Sequence, residues 1–297
     1  MRIYKEKEAF TFCGYDNPPF KKAKAIIVPI PHEATLSYKP GTSQGPQAII
    51  NASRHMETYD IELGLEIFGK APIHTLEQME SNFNSPEEMI NEIERSISKL
   101  LTFKKFPVIL GGEHSITTGI VRAFKRKYSD LTVIQLDAHA DLRDQYQGTH
   151  YSHASPMRRC REIANVIQVG IRSMSEDEAE YINKNKIKNI YYSPELSIKE
   201  ILKNTTRNVY LTIDLDVLNP ALMPAVGTPE PGGLTWYPFI NFIKEIFKQR
   251  NVVGADVVEL SPIPGIVAPD FMAAVIVYKL IGYKFFGKMN AKSTAKN

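Results

Sequence analysis

Apolar runs of strand length recur along this chain, and four of them break off directly into acidic residues or histidine. Phe106 to Leu110 leads into Gly111-Gly112-Glu113-His114, and Leu131 to Leu136 into Asp137-Ala138-His139-Ala140-Asp141. Val209 to Ile213 leads into Asp214-Leu215-Asp216, and Asn251 to Val258 into Glu259. The runs are nearly continuous in apolar residues, so both faces of each strand need cover. Parallel strands sandwiched between helices have that property. Further strands are expected at Lys24 to Ile30, Val166 to Val169 and Asn189 to Tyr192. Helices are expected between them, at Pro86 to Thr102, Ile116 to Tyr128, Ser175 to Asn185, Ser197 to Leu202, Pro238 to Gln249 and Phe271 to Gly282. In the first of these, Ile90, Ile93, Ile97, Leu100 and Leu101 fall near helical spacing. Ser85 is placed to cap it, and Pro86 takes the first helical position, where its missing N–H is not needed. The alternation predicts an α/β fold, a three-layer doubly wound parallel sheet. No linker, repeat or low-complexity tract divides residues 1–297, so a single domain is expected.

The acids then acquire a common location. In open α/β sheets, ligands bind beyond the carboxyl ends of the strands, and all four polar groups stand at such ends. An isolated buried carboxylate faces a large desolvation penalty. Asp137, Asp141, Asp214 and Asp216 brought together would also repel one another unless cations lie between them. The pattern therefore points to a two-metal site and to an enzyme.

Composition excludes several other classes. A formal net charge of +3 over 297 residues, with Lys and Arg scattered, gives no nucleic-acid footprint. Cys13 and Cys160 lack metal-type spacing and argue against a disulfide scaffold, which fits a reducing cytoplasm. The opening Met1 to Glu8 is charged and has no signal-peptide core. Lys279 and Lys284 interrupt the apolar stretch Ala273 to Phe286, so no membrane partner is expected. Lys125-Arg126-Lys127 reads as a solvated helix end, Gly232-Gly233 as turn chemistry, Gly111-Gly112 as close packing beside the site, and Cys160 as a passive thiol.

Taken together, these residues resemble the ureohydrolase family of arginases, agmatinases and relatives. The matching stretches are Gly111 to Ser115 (GGEHS), Asp137 to Asp141 (DAHAD), Ser152 to Pro156 (SHASP), Asp214 to Pro220 (DLDVLNP), Thr228 to Gly233 (TPEPGG) and Val258 to Pro262 (VELSP). They fall in order, and the likeness as a whole runs from about Pro29 to near Tyr278. The resemblance implies an arginase-type fold with two manganese ions at the strand ends. One would be held by His114, Asp137, Asp141 and Asp214. The other would be held by His139, Asp137, Asp214 and Asp216, with Asp137 and Asp214 bridging. This hard, oxygen-rich set suits Mn2+ better than the thiolate-rich sites of structural zinc. Paired cations lower the pKa of water and fix it against a guanidinium carbon. The resemblance further implies that Asp141 stabilises the intermediate and passes a proton. It makes His153 the proton shuttle and Glu259 the partner of the substrate guanidinium. Glu113 is read as a structural acid, and a homotrimer or homohexamer is the expected assembly.

The expected substrate is a small guanidino compound, and agmatine first. The loop Leu142 to Tyr151 lacks the run of small hydroxyl and amide residues with which arginases hold the amino-acid end of arginine. Gly41 to Ile49 and Met56 to Asp60 look agmatinase-like. Asp144, Tyr146 and Glu230 are the rim groups expected to receive the far ammonium of agmatine. Arg143, if it points inward, would instead favour a carboxylate-bearing substrate such as guanidinobutyrate or formiminoglutamate. Arginase activity is a further alternative on the same metals. Outside the class stand a metal-dependent deacylase, which would use one zinc and fewer carboxylates, and a non-catalytic relative, which would be expected to have lost ligands.

Overall fold

In the computed structural model, residues 10–81 and 84–288 are described, so the charged opening at residues 1–8 lies outside the described residues. The strands are β1 (Ala25–Ile30), β2 (Tyr59–Asp60), β3 (Leu65–Glu66), β4 (Ile73–Thr75), β5 (Phe106–Gly111) and β6 (Leu131–Leu136), then β7 (Asn165–Ile171), β8 (Ile190–Tyr192), β9 (Asn208–Asp214) and β10 (Asn251–Val258). The helices are α1 (Gly45–Ser53), α2 (Ile67–Lys70), α3 (Pro86–Leu100), α4 (Thr117–Lys127) and α5 (Pro156–Arg161), then α6 (Glu176–Lys184), α7 (Ile198–Lys203), α8 (Trp236–Gln249) and α9 (Ala268–Phe286). β4-β1-β5-β10-β9-β6-β7-β8 form an eight-stranded sheet, and β2 and β3 form a separate hairpin. Every pairing in the large sheet is parallel.

Helices cover both faces, as the continuous apolar strands require. On one face Ile27, Val108 and Leu211 pack with Ile49 of α1, Ile243 of α8 and Ile276 of α9. On the other, Ile26, Ile109 and Val133 pack with Ile93 of α3, Ile120 of α4 and Met157 of α5. The three-layer doubly wound α/β architecture is as expected. Ser85 accepts from the Glu88 N–H at the start of α3, and Ser175 with Glu178 forms a reciprocal capping box at the start of α6.

The differences have local causes. β4 is three residues long with His74 at its centre, too short and too polar to stand out. α1 opens on Gly45-Pro46, which reads as a turn until the proline is seen in the first helical turn. α5 (PMRRCR) is a short, arginine-rich helix that presents no apolar period. α9 starts before Phe271, with Pro269 in its first turn, and continues past Gly282 to Phe286. Gly282 is there for packing, because a Cβ on it would lie 2.6 Å from Ile67 Cδ1.

One glycine ties the fold to the site. A Cβ on Gly112 would lie 2.1 Å from the His32 carbonyl oxygen, so the segment after β1 can cross the end of β5 only over glycine. The crossing is held by Gly112 N–H to Ile30 O at 2.9 Å and Glu113 N–H to His32 O at 2.8 Å. Gly112→Ala is expected to destabilise the protein by about 1–3 kcal/mol, the range for overpacking. A lowered denaturant midpoint at unchanged slope would check this.

Candidate metal centre and its cavity

β5, β10, β9 and β6 are neighbours in the centre of the sheet, and their carboxyl ends deliver the site. Val258 pairs with Asp214 and Leu136 with Ile213, so Asp137 and Asp214 emerge side by side. Glu259 follows β10, and His114 stands just beyond β5.

The side chains converge in two groups that share Asp137. Ligand atoms of His114, Asp137 and Asp141 lie within 4.8 Å of one another, as do those of Asp137, His139 and Asp216. His114 Nδ1 is 3.0 Å from Asp137 Oδ2, 3.0 Å from Asp141 Oδ2 and 3.5 Å from Asp214 Oδ2. His139 Nδ1 is 2.8 Å from Asp216 Oδ2 and 3.8 Å from Asp137 Oδ1. All six metal-ligating residues expected from the sequence are thus gathered at one place.

Backbone donors orient the carboxylates. Asp137 Oδ1 accepts from His139 N–H at 2.6 Å, Asp214 Oδ1 from Asp216 N–H at 2.9 Å, and Asp216 Oδ1 from Ala138 N–H at 2.9 Å. Asp141 (φ 54°) and Glu259 (φ 66°) occupy the left-handed region, which disfavours side chains with a Cβ. Such conformations persist where the surroundings over-determine them, commonly at functional sites.

His114 tests whether cations fit. Its Nε2 lies 2.7 Å from Thr212 Oγ1. Its Nδ1 is buried and has no aligned hydrogen bond, although three carboxylates crowd it. A cation among those oxygens would satisfy that lone pair and relieve the repulsion. Imidazole nitrogen with carboxylate oxygen is a donor set for hard or borderline divalent ions.

The protonation equilibria carry the same strain. Burial, then Asp141 and Asp216, push Asp137 up to about 8. Burial, then Asp216 and Asp137, hold Asp214 well above its ordinary value. Burial works against the charged imidazole of His139, but Asp216 and its neighbours outweigh it and raise that ring to about 11. His114 is likewise raised against its burial, by Asp137, Asp141 and Asp214. Asp216 is held down despite burial by the His139 cation.

A cavity of about 210 Å³ opens onto the centre, lined by His114, His139, Asp141, Asp214 and Glu259 below, and by Ser37, Arg143, Tyr146, His153 and Glu178 above. Glu259 Oε1 accepts from His114 N–H at 2.6 Å, and burial pushes its carboxyl up to about 8. His153 Nε2 is 3.1 Å from Ser37 Oγ, its Nδ1 is 3.3 Å from Thr35 Oγ1, and burial lowers its pKa. Glu113 is structural, as expected: it is fully buried and accepts from Ala34 N–H, Thr35 N–H, Thr35 Oγ1 and Ser115 Oγ at 2.6–2.9 Å. His150 is exposed, with Nδ1 2.8 Å from the Asp144 carbonyl.

The rim differs from expectation. Asp144 does not line the cavity; its Oδ1 takes Arg159 Nη2 at 2.6 Å, because α5 presents arginines to it. Glu230 sits beside a ligand instead, with Oε1 3.5 Å from His139 Nε2. Tyr146 does line the cavity, and Arg143 stacks on it with its guanidinium carbon 4.9 Å from the ring centre. Sequence reasoning missed Glu178, whose Oε1 accepts from Leu142 N–H at 2.7 Å. It also missed Arg172, whose Nη2 donates to Asp216 O at 2.6 Å and Glu230 O at 3.1 Å. Gly232 and Gly233 turn against that arginine with φ of 83° and 91°, as turn chemistry predicts. Thr212 reads as an ordinary strand residue and gave no signal. Gln135, a lone amide in an apolar strand, did carry one.

Comparison with known proteins agrees with the geometry. The arginase family model matches residues 23–282. The chain is 40% identical to N(1)-aminopropylagmatine ureohydrolase of Synechocystis sp., over 89% of this chain and 90% of that protein. It is 38% identical to agmatinase of Bacillus cereus, over 83% and 87%. The solved agmatine ureohydrolase of Thermoplasma volcanium superposes with a TM-score of 0.84 at 30% identity, covering 96% of each chain. With that match over most of its length, this chain belongs to the arginase family, as an agmatinase-like ureohydrolase.

Proposed function

We propose that this protein cleaves the guanidino C–N bond of agmatine, releasing urea and putrescine, at a centre of two divalent cations, Mn2+ by the hardness of its donors. The observation that carries this is the shared position of Asp137 between the two ligand groups. His114, Asp137, Asp141 and Asp214 would hold one ion, and His139, Asp137, Asp214 and Asp216 the other. When bound, such a pair supplies the activation of water that hydrolysis of a resonance-stabilised guanidinium needs near neutral pH. A homotrimer or homohexamer and a cytoplasmic setting belong to the same proposal.

The chain's own groups then have defined work. Glu259, lining the cavity floor, receives the substrate guanidinium through charge-assisted hydrogen bonds. Asp141 takes a proton at its carboxylate and gives it to the departing amine. His153, whose pKa burial lowers, accepts a proton at the cavity wall and returns it toward solvent. Tyr146 and Met174 flank the space for the alkyl chain.

A second substrate has specific support. Arg143 lines the cavity and Asp144 is turned away, so the rim is poorly suited to a bare ammonium just outside the site. A longer polyamine of the aminopropylagmatine kind keeps a protonatable amine at that position and adds a second one farther out, so Arg143 alone does not separate the two compounds. The similarity to N(1)-aminopropylagmatine ureohydrolases of Synechocystis sp. and Thermus thermophilus, 40% and 37% identical, favours that compound.

Urea release by Mn2+-loaded protein is the direct test, with agmatine, N(1)-aminopropylagmatine, arginine and guanidinobutyrate side by side and formamide release for formiminoglutamate. Turnover of either agmatine compound in preference to the rest is expected; a preference for an acidic substrate would overturn the specificity and implicate Arg143. Metal counting addresses the other classes, since a deacylase would hold one ion and a non-catalytic relative none. Asp137→Asn should lose bound metal and nearly all urea release. His153→Ala should keep both ions and turn over about 10²–10⁴-fold more slowly, the usual scale for a lost acid–base group.

Cation binding should also expel protons. Burial and the neighbouring acids raise Asp137, and Asp216 raises His139, so both hold their protons more tightly than usual, whereas metal ligands must be deprotonated. Affinity should therefore rise with pH from 6 to 8. Calorimetry in buffers of different ionisation enthalpy should show net proton release, and no buffer dependence would contradict it.

A further inference from the structure

Two glutamines interrupt otherwise apolar strands beside the metal centre. Gln135 on β6 and Gln168 on β7 are direct register partners, and both are fully buried. Burying an amide is unfavourable unless its donors and acceptor are matched. Here the matching has a direction. The Arg161 guanidinium has donors only, and its Nη2 and Nε reach Gln168 Oε1 at 2.9 and 3.3 Å. Gln168 must therefore turn its NH2 away, where it donates to Gln135 Oε1 and to Ala140 O, both at 2.6 Å. That in turn sets Gln135, whose NH2 donates to Asp137 Oδ2 at 2.6 Å and to His139 O at 3.3 Å. Every amide hydrogen in the chain is used, and no member can flip without leaving a buried donor facing a donor.

We infer that Arg161 is a positioning residue for the metal centre, acting through Gln168 and Gln135 to hold Asp137 Oδ2 toward His114. The oxygen it fixes is the one 3.0 Å from His114 Nδ1. Aligned donors in a buried chain polarise one another, so part of the guanidinium's positive character reaches the carboxylate that both ligand groups share. Ala140 and His139 carbonyls are pinned by the same amides, which fixes the turn that carries Asp141 and His139. This inference rests on the two-cation centre proposed above.

The test is Mn2+ binding by chelator competition on the full chain, comparing Arg161→Met, Gln168→Leu, Gln135→Leu and the double variant Arg161→Met/Gln135→Leu. Each single variant should weaken at least one of two ions by about 10–100-fold, the scale for residues that orient metal ligands. The double variant should be no weaker than the worse single one, because both break one relay. Arg161→Lys, which keeps a donor for Gln168, should recover most of the affinity. Circular dichroism and denaturant midpoints separate folding from binding. Lowered midpoints with parental Mn2+ affinity would overturn the inference, as would additive losses in the double variant. If the unaltered chain itself bound fewer than two ions, the two-cation centre would fail instead.

Discussion

Asp137 is where the competing demands of this molecule meet. It is fully buried, lies against two other aspartates, and belongs to both groups of side chains that could hold a metal ion. A carboxylate cannot stay charged in such a place without positive partners. The architecture supplies them from several sides: the His139 N–H, the Gln135 amide, the His114 ring and, in the proposed state, two cations. The parallel sheet makes this possible, because adjacent parallel strands all end on the same edge. An antiparallel pair would have sent Asp214 and Asp137 to opposite ends.

The same constraint explains why the surroundings are built from backbone and neutral amides. Asp214 and Asp216 each offer one oxygen to a backbone N–H, and Asp137 accepts from a backbone N–H on one oxygen and from the Gln135 amide on the other. Glu259 accepts from the His114 N–H, so the expected substrate partner and an expected metal ligand are set by one contact. Arg172 ties the backbone of the β9 turn to the Pro231 loop, and its charge is spent on carbonyls rather than on the centre.

Much of this was legible from the chain alone. The sheet's central strands announce themselves because both of their faces are buried, and the acids at their ends are conspicuous by desolvation. The six residues that the resemblance implied as ligands do converge at one edge of the sheet. What was illegible is of two kinds. Elements such as α5 and β4 are too short for a period to emerge, and α1 is masked by its Gly-Pro opening. Residues such as Thr212, Thr35 and Arg172 act through contacts with chain-distant partners, and their types are ordinary where they stand. The rim failed for the second reason: Asp144 looks available until α5 brings Arg159 against it.

The buried Glu113 gives the neighbouring imidazole a character of its own. Glu113 grips Thr35 by its backbone and hydroxyl, and Thr35 in turn receives the His153 N–H at 2.9 Å while its hydroxyl meets the ring. Ser37 holds the opposite ring nitrogen. The imidazole is therefore fastened to the acid that immediately precedes His114 in the chain. Thr35 gives its hydroxyl hydrogen to Glu113, so its oxygen can only accept from the ring; that places the imidazole hydrogen on Nδ1 and leaves Nε2 to accept from the Ser37 hydroxyl. A buried acid one position before His114 thereby selects the tautomer of an imidazole that it does not touch.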